Sequence, residues 1–446
     1  MNLDSFRMLY TELWPFAVCG GWFGCGVMPV GWVGGMDASH LFTAALRLQS
    51  PWKVGSVGFR DADGGRRELR IMIVFEPGAR FHCPETGCRE DACPVHDRRE
   101  RVWRHPDFFR YKAFIHAAMP RVTCPEHGVR TVPAPWARPG SGFTLLFEAW
   151  AVEMARHLPA GTLAEQVDET DTRLWRSVAH CVDEARRLED HMGVEAVGID
   201  GTGRGGRNCI TVVADLVEHD VINVTPGKDP ATVERFSRDF MDHNGVPEYV
   251  RLVACDMSPG FRKGIRGHLP HARRIVDRFH VARHADEAVD KAGKTEGRSD
   301  PLLKRAEYLW LRNGESLAEL QVEARRSLTG RRLRTGRACR MREVLQDVYA
   351  DGRTPSEAWV RLHRLCSWVM HSRLGPMKDF ARMVRRRFAE IVACFGHPYA
   401  DAVLEGADGV IRNVRRRARG FRDMDHSAAM IYLACGGLDL KAVTTT

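Results

Sequence analysis

The stretch "RLVACDMSPGFRKGI", residues 251–265, carries an apolar run from Leu252 to Cys255 that ends on Asp256. Pro259 and Gly260 behind it allow a turn, and Phe261, Arg262 and Lys263 follow. For a lone Asp this is a strand end capped by a solvated carboxylate. It becomes a site when a second strand stops in the same way, and "VEAVGID" does so at Asp200, 56 residues earlier.

The chain around these two residues reads as short apolar strands: "VEAVGID", "CITVVADL", "VINVTP", "YVRLVACD" and "RRIVDRF". The helix "PATVERFSRDFMDH" separates the third from the fourth. The order β-β-β-α-β-α-β is that of the ribonuclease H-like fold, in which strands one and four end side by side. Two adjacent carboxylates repel each other unless a divalent cation lies between them, and Mg²⁺ (or Mn²⁺) takes such oxygen ligands. A third carboxylate would complete a two-metal site, able to activate an attacking oxygen and stabilise a leaving one in phosphodiester chemistry. Glu405 in "LEGADGVIRNVRRRARGFR" is the candidate. On a helix it shares a face with Arg412 and Arg416, while Ile411, Val414 and Ala418 line another. The alternative is an exposed helical Glu beside a solvated Arg run.

Composition agrees with a polyanionic partner. The chain has 446 residues, room for about three domains, and a formal charge of +9. Lysine supplies only 9 of its 66 basic residues. Guanidinium groups grip phosphate with two parallel hydrogen bonds, although a coding bias towards Arg is an equal explanation of the preference. The thirteen Cys are scattered, mostly single and in apolar surroundings, as in a reducing compartment rather than a disulfide framework. No run of 18 uninterrupted apolar residues indicates a membrane span.

Further regions precede and follow this core. Residues 1–35, rich in paired Gly, lack a clear cationic leader and a cleavage site. They are expected to be a mis-assigned or disordered leader, with translation starting at Met36. Residues 36–140 begin with a helix, "MDASHLFTAALRL", and two alternating strands, "KVGSVGF" and "RELRIMIVFEP". "CPETGC" and "CPEH" then pair soft ligands at close spacing, and zinc takes four in a tetrahedron. Cys83, Cys88, Cys124 and His127 are the chosen set, with Cys93 and His96 of "CPVH" a rival pair. This region is expected to be too small to hold together well without its Zn²⁺. Residues 141–190 read as helices. Within them Leu163 and Val167 precede a polar turn at 168–170, and Leu174, Val178 and Val182 follow at helical spacing. This is the helix-turn-helix pattern, with an ordinary helical hairpin as the alternative. Its exposed Arg173 and Arg176 are candidate base readers. The core, residues 191–284, is followed by an Arg-rich helical segment at 285–398. A core helix carrying the third carboxylate (399–437) and a tail (438–446) complete the chain.

Two other features carry less. The glycines of "GTGRGG", residues 201–206, lack the Lys-Ser/Thr of a phosphate loop and precede a strand, so a hairpin turn is the reading. His280, after Asp277 in "VDRFH", reads as a structural histidine unless the fold brings it to the carboxylates.

Taken together, "GID", "CDMSPGF", "VDRFHVARHADEAVD" and "LEGADGVIRNVRRRARGFR" resemble the DDE transposases of the ISL-three insertion-sequence family. Upstream, "RRERVWRHPDF", "PRVTCPEHGV" and "VPAPWARPGSGFTLLFEA" resemble that family's zinc-binding and helix-turn-helix portion, so the resemblance covers about residues 36–437. It implies a multidomain α/β protein, with a ribonuclease H-like core holding a large all-α insertion behind a small zinc-binding domain and a helix-turn-helix. It implies Asp200, Asp256 and Glu405 as the catalytic triad on Mg²⁺, and a cytoplasmic, nucleoid-associated bacterial enzyme. The implied DNA partners are terminal inverted repeats and target DNA, held by at least a homodimer, with Arg412, Arg415, Arg416 and Arg419 on the phosphate backbone. Two positions depart from the family pattern: Gly201, where an acid is frequent, and Asp408–Gly409, where polar residues such as Asn are expected. The alternatives are a decayed transposase that only represses its element, and a structure-specific nuclease of the same fold.

Overall fold

The structure is a computed structural model that describes residues 38–62, 66–202, 209–297, 333–352, 354–397, 409, 412–414 and 424–441. The leader read at residues 1–35 lies outside the described residues.

Helix α1 (Ala38–Ala45) precedes a hairpin of β1 (Trp52–Ala62) and β2 (Arg66–Phe75). Strand β4 (Tyr111–Cys124) pairs parallel with β2, and antiparallel with both β3 (Val95–Phe108) and β5 (Gly128–Thr131). The sheet order is β1-β2-β4-β3, with β5 on β4. Alternation along β4 turns Ala113, Ile115, Ala117 and Met119 inward, as a period of two requires. They meet Ile71 and Ile73 of β2. Trp136 packs edge-on against Trp52 at 5.1 Å and Trp103 at 5.5 Å. This region therefore has an apolar core of its own. Burial of these aromatic and branched side chains favours the sheet, and the dependence of the region on Zn²⁺ is a matter for metal removal.

Helices α2 (Leu145–His157), α3 (Ala160–Val167) and α4 (Asp171–Arg187) follow. Thr144 caps α2 by accepting the Phe147 N–H at 3.2 Å, which satisfies one of the free amides of the first turn. The turn at 168–170 separates α3 from α4, with Asp168 left-handed at φ 51°. Leu163, Val167, Leu174, Val178 and Val182 are buried, as their spacing predicts. Arg104 of β3, 1% exposed, ties the first sheet to this turn. Its guanidinium donates to the carbonyls of Ala113 (3.3 Å) and Val167 (3.5 Å), and pairs with Asp107 and with Glu169 of the turn.

The second sheet contains β6 (Ala196–Thr202), β7 (Ile210–Asp215), β8 (Val221–Pro226), β9 (Leu252–Cys255) and β10 (Arg273–Val276). Its order is β10-β9-β6-β7-β8, the ribonuclease H-like arrangement. The β6-β7-β8 meander is antiparallel, whereas β9 and β10 run parallel to β6. Alternate residues divide between two helical layers. Val197, Ile199, Val213, Val253 and Cys255 share a core with Phe236 and Phe240 of α5 (Pro230–Asp242), and with Phe261 and Ile265 of α6 (Pro259–His268). Ile210, Val212, Ala214 and Ala254 share the other core with α2–α4 and with α12 (Met424–Cys435). The helix-turn-helix thus shares its core with one face of the sheet.

Beyond β10, helices α7 (Arg278–Glu296), α8 (Arg334–Asp351), α9 (Pro355–Met370), α10 (Gly375–Arg386) and α11 (Phe388–Ala393) bury a fourth core. Helix α7 runs across residue 285, where the sequence reading starts the insertion. The core and the helical region therefore share this element. Among the described residues, no helix is long and apolar enough to cross a membrane.

Candidate functional site

The sheet register sets the two aspartates side by side. Ile199 of β6 pairs with Cys255 of the parallel neighbour β9, and the next residue on each chain is Asp200 and Asp256. Strand β6 itself runs on to Thr202, two residues past the end read from sequence. Helix α7 follows β10 on the far side of β9, and its first turn delivers His280. Ligand atoms of Asp200, Asp256 and His280 all lie within 4.8 Å of one another. His280, given as a structural residue by sequence alone, stands inside the site.

Each carboxylate is oriented by local backbone. Asp200 Oδ1 accepts the N–H of Gly201 at 2.7 Å, and Asp256 Oδ1 accepts that of Ser258 at 2.8 Å. Asp277 caps α7 by accepting the Phe279 N–H at 2.9 Å. His280 lies between two acids, with Nε2 3.5 Å from Asp200 and Nδ1 3.3 Å from Asp277. Burial alone would depress its pKa, but the hydrogen bonds and charges of Asp200 and Asp277 outweigh burial and raise it to about 9. The imidazole is therefore a cation and a donor near neutral pH. Burial acts to raise the Asp200 pKa, yet His280, the Gly201 N–H and Lys228 bring it below the ordinary carboxylate value.

Sequence reading missed Lys228. Its Nζ lies 2.5 Å from Asp256 Oδ2. It sits in the β8–α5 loop, within "TPGKDP", where no periodicity marks it; only its scarcity among the basic residues sets it apart. The two central carboxylates are thus each met by a cationic side chain. Two carboxylates within reach of one ion form an oxygen donor set that fits Mg²⁺ or Mn²⁺. Glu405, Arg415, Arg416 and Arg419 lie outside the described residues, whereas Arg412 is helical and exposed.

A second cluster lies on the first sheet. Cys83 and Cys88 come from the β2–β3 connection, Cys124 ends β4, and His127 lies in the turn to β5. All four ligand atoms are within 4.8 Å of one another. Sγ of Cys88 and Cys124 are 3.8 Å apart, and His127 Nδ1 lies 3.6 Å from Cys124 and 3.8 Å from Cys83. Burial tends to raise the Cys124 pKa, but donors from His127 and the Glu126 N–H lower it to about 6. A thiolate is the form that binds metal. Of the rival pair, Cys93 is buried beside this foursome, its thiol pKa raised by burial and then by neighbouring Cys124, and His96 Nδ1 lies 3.6 Å from Asp97.

On α4, Arg176 is exposed. Arg173 is engaged instead. It pairs with Glu169 at 2.5 Å and stacks over Phe143 at 4.6 Å, which makes it a brace of the turn as well as a surface cation.

Comparison with known proteins agrees with this layout. Residues 79–127 match the zinc-finger of transposase IS204/IS1001/IS1096/IS1165. Residues 132–182 match the helix-turn-helix domain of transposase family ISL3, and residues 197–431 match that family's transposase domain. The transposase for insertion sequence element IS1557 of Mycobacterium tuberculosis is 26% identical over 445 residues, covering 89% of this chain and 96% of its own length. The transposase for insertion sequence element IS1001 of Bordetella parapertussis is 23% identical over 435 residues, covering 94% and 97%. With more than half of its length in the transposase domain, behind a zinc finger and a helix-turn-helix, the chain belongs to the ISL3 family of insertion-sequence transposases.

Proposed function

We propose that this transposase binds the terminal inverted repeats of its element and catalyses metal-dependent strand cleavage and strand transfer through Asp200, Asp256 and Glu405. The observation that carries the reading is the register of β6 and β9, which brings two carboxylates from distant sequence positions within reach of one ion. A bound Mg²⁺ pair would activate the attacking oxygen and stabilise the leaving one. Asp200 and Asp256 hold the cation side of the site, each fixed by a neighbouring N–H. His280, held as a cation by Asp277, steadies the Asp200 carboxylate and adds positive charge facing the phosphate. Glu405 supplies the third carboxylate.

Recognition is divided between two kinds of contact. A Zn²⁺ held by Cys83, Cys88, Cys124 and His127 would fix the loops beside β4 and β5. Arg104 holds that sheet against the helix-turn-helix, so the two move as one reading head, with Arg176 at base edges and Arg173 beside it. Arg412, Arg415, Arg416 and Arg419 grip phosphates without reading sequence. Such contacts supply affinity and steep salt dependence, while base edges supply specificity. Two element ends cut together call for at least a dimer on DNA.

The test is incubation with DNA bearing the inverted repeats and Mg²⁺ or Mn²⁺. Nicks at the element ends are expected. Repeat binding with no cleavage under either metal would instead make the protein a repressor of its element.

A further inference from the structure

Lys228 reaches Asp256 along a path that the surrounding residues keep open. A Cβ at Gly201 would lie 2.8 Å from Lys228 Cδ, 3.1 Å from Cε and 3.2 Å from Nζ. At Gly201 the missing side chain leaves the space that the lysine stem fills. The Lys228 backbone is held from both sides. Gly227 before it is left-handed at φ 99°, a conformation that suits glycine. Asp229 after it caps α5, accepting the Thr232 N–H at 2.9 Å. The first turn of α6 presses on the same peptide, since a Cβ at Gly260 would come within 2.7 Å of the Lys228 carbonyl oxygen. The stem is thus aimed by the loop, while the side chain is 35% exposed and its ammonium lies 5.6 Å from the Phe261 ring centroid. Its target is specific. Asp256 Oδ1 is taken by the Ser258 N–H, and the ammonium occupies Oδ2.

We infer that Lys228 is a built-in competitor for the catalytic cation: its ammonium pairs with Asp256, one of the two carboxylates that would hold a divalent ion. A divalent ion bound there would displace the ammonium from Asp256 and leave it to face the phosphate of a bound strand. No bond is made or broken in this exchange; one cation replaces another on a carboxylate. The inference rests on the two-aspartate metal site proposed above and assigns Lys228 both a gating and a substrate-facing part in it.

Opposite effects of one substitution on binding and on chemistry provide the test. Mn²⁺ alone is titrated calorimetrically into the full-length protein without DNA, with the Asp200→Asn/Asp256→Asn double variant as background. Lys228→Gln should bind Mn²⁺ about fivefold more tightly than wild type, the worth of one half-exposed ion pair. Lys228→Arg, which keeps the charge, should stay within about twofold of wild type. At saturating Mn²⁺, Lys228→Gln should nonetheless cut repeat DNA more slowly. Gly201→Ala leaves the lysine in place but crowds its stem, and should tighten Mn²⁺ binding in the same direction. Unchanged or weaker Mn²⁺ binding in both Lys228→Gln and Gly201→Ala would overturn the competitor role while leaving the metal site standing. Wild type indistinguishable from the double Asn variant would overturn the metal site, and this inference with it.

Discussion

The two clusters of ligating side chains are built in contrasting ways. The Cys83–Cys88–Cys124–His127 cluster is local. Its ligands lie within 45 residues of sequence, on loops fixed to a sheet that has its own apolar core. The Asp200–Asp256 pair exists only because a crossover through α5 returns β9 to the side of β6, and the third member proposed for it, Glu405, lies still farther along the chain. In the first, the ligands come from loops on one sheet with an apolar cluster beneath them. In the second, topology makes the site, and Lys228 and His280 balance its carboxylates. Charge neutralisation of this kind lets acidic residues sit close together in a folded chain without a bound ion.

The largest effect should come from the most distant member. Glu405→Gln should lower strand cleavage by about a thousandfold or more, the scale of several kcal/mol of lost transition-state stabilisation, with repeat binding nearly intact in a mobility-shift assay. Cleavage at the normal rate would remove Glu405 from the site.

Next comes the independence of the first sheet. Ile71→Ala should cost about 3 kcal/mol by denaturant unfolding, as a cavity in a closely packed core does. Cys124→Ser should release zinc and cost about 2 kcal/mol, yet leave the β-sheet circular dichroism of the protein in place. Unfolding of this region on zinc loss would show instead that it is too small to hold together without its metal. Arg176→Ala should reduce preference for the repeat over random DNA by about tenfold, the lower range for one base-edge contact. An unchanged preference would move recognition away from α4.

The smallest effect concerns the seam between the two regions. His105 Nδ1 lies 3.1 Å from Thr144 Oγ1. Burial, with the adjacent Arg104 charge, pushes its pKa down to about 4 from 6.5. A base whose folded pKa is depressed takes up a proton more readily when unfolded, so stability is full above 6.5 and falls as pH drops towards 4. His105→Gln should flatten that part of the stability–pH curve, measured by thermal melts between pH 7 and 4. An unaltered curve would assign the acid sensitivity elsewhere.

Much of this contrast was legible in the residues. Apolar runs that end on Asp announced β6 and β9, because buried strands show as continuous Val, Ile and Leu, and a carboxylate there is conspicuous. The four zinc ligands stood out because Cys and His pairs at short spacing have few other uses. Strand β3 was not legible, since only Trp103 and Arg104 of its 14 residues are buried, and an exposed, Arg-rich strand has no alternation to read. Lys228 and His280 were hidden for a different reason. Their partners are set by strand order and loop path, which no local pattern carries. Glu405 and its neighbouring arginines still rest on helical spacing and family resemblance.

The central claim, that Asp200 and Asp256 jointly hold the cation that cuts DNA, is tested most directly by Asp256→Asn on repeat-bearing DNA with Mn²⁺. Binding and nicking are to be measured on the same samples. The account predicts repeat binding close to wild type and no nicks at the element ends. Nicking at the wild-type rate by Asp256→Asn would contradict it.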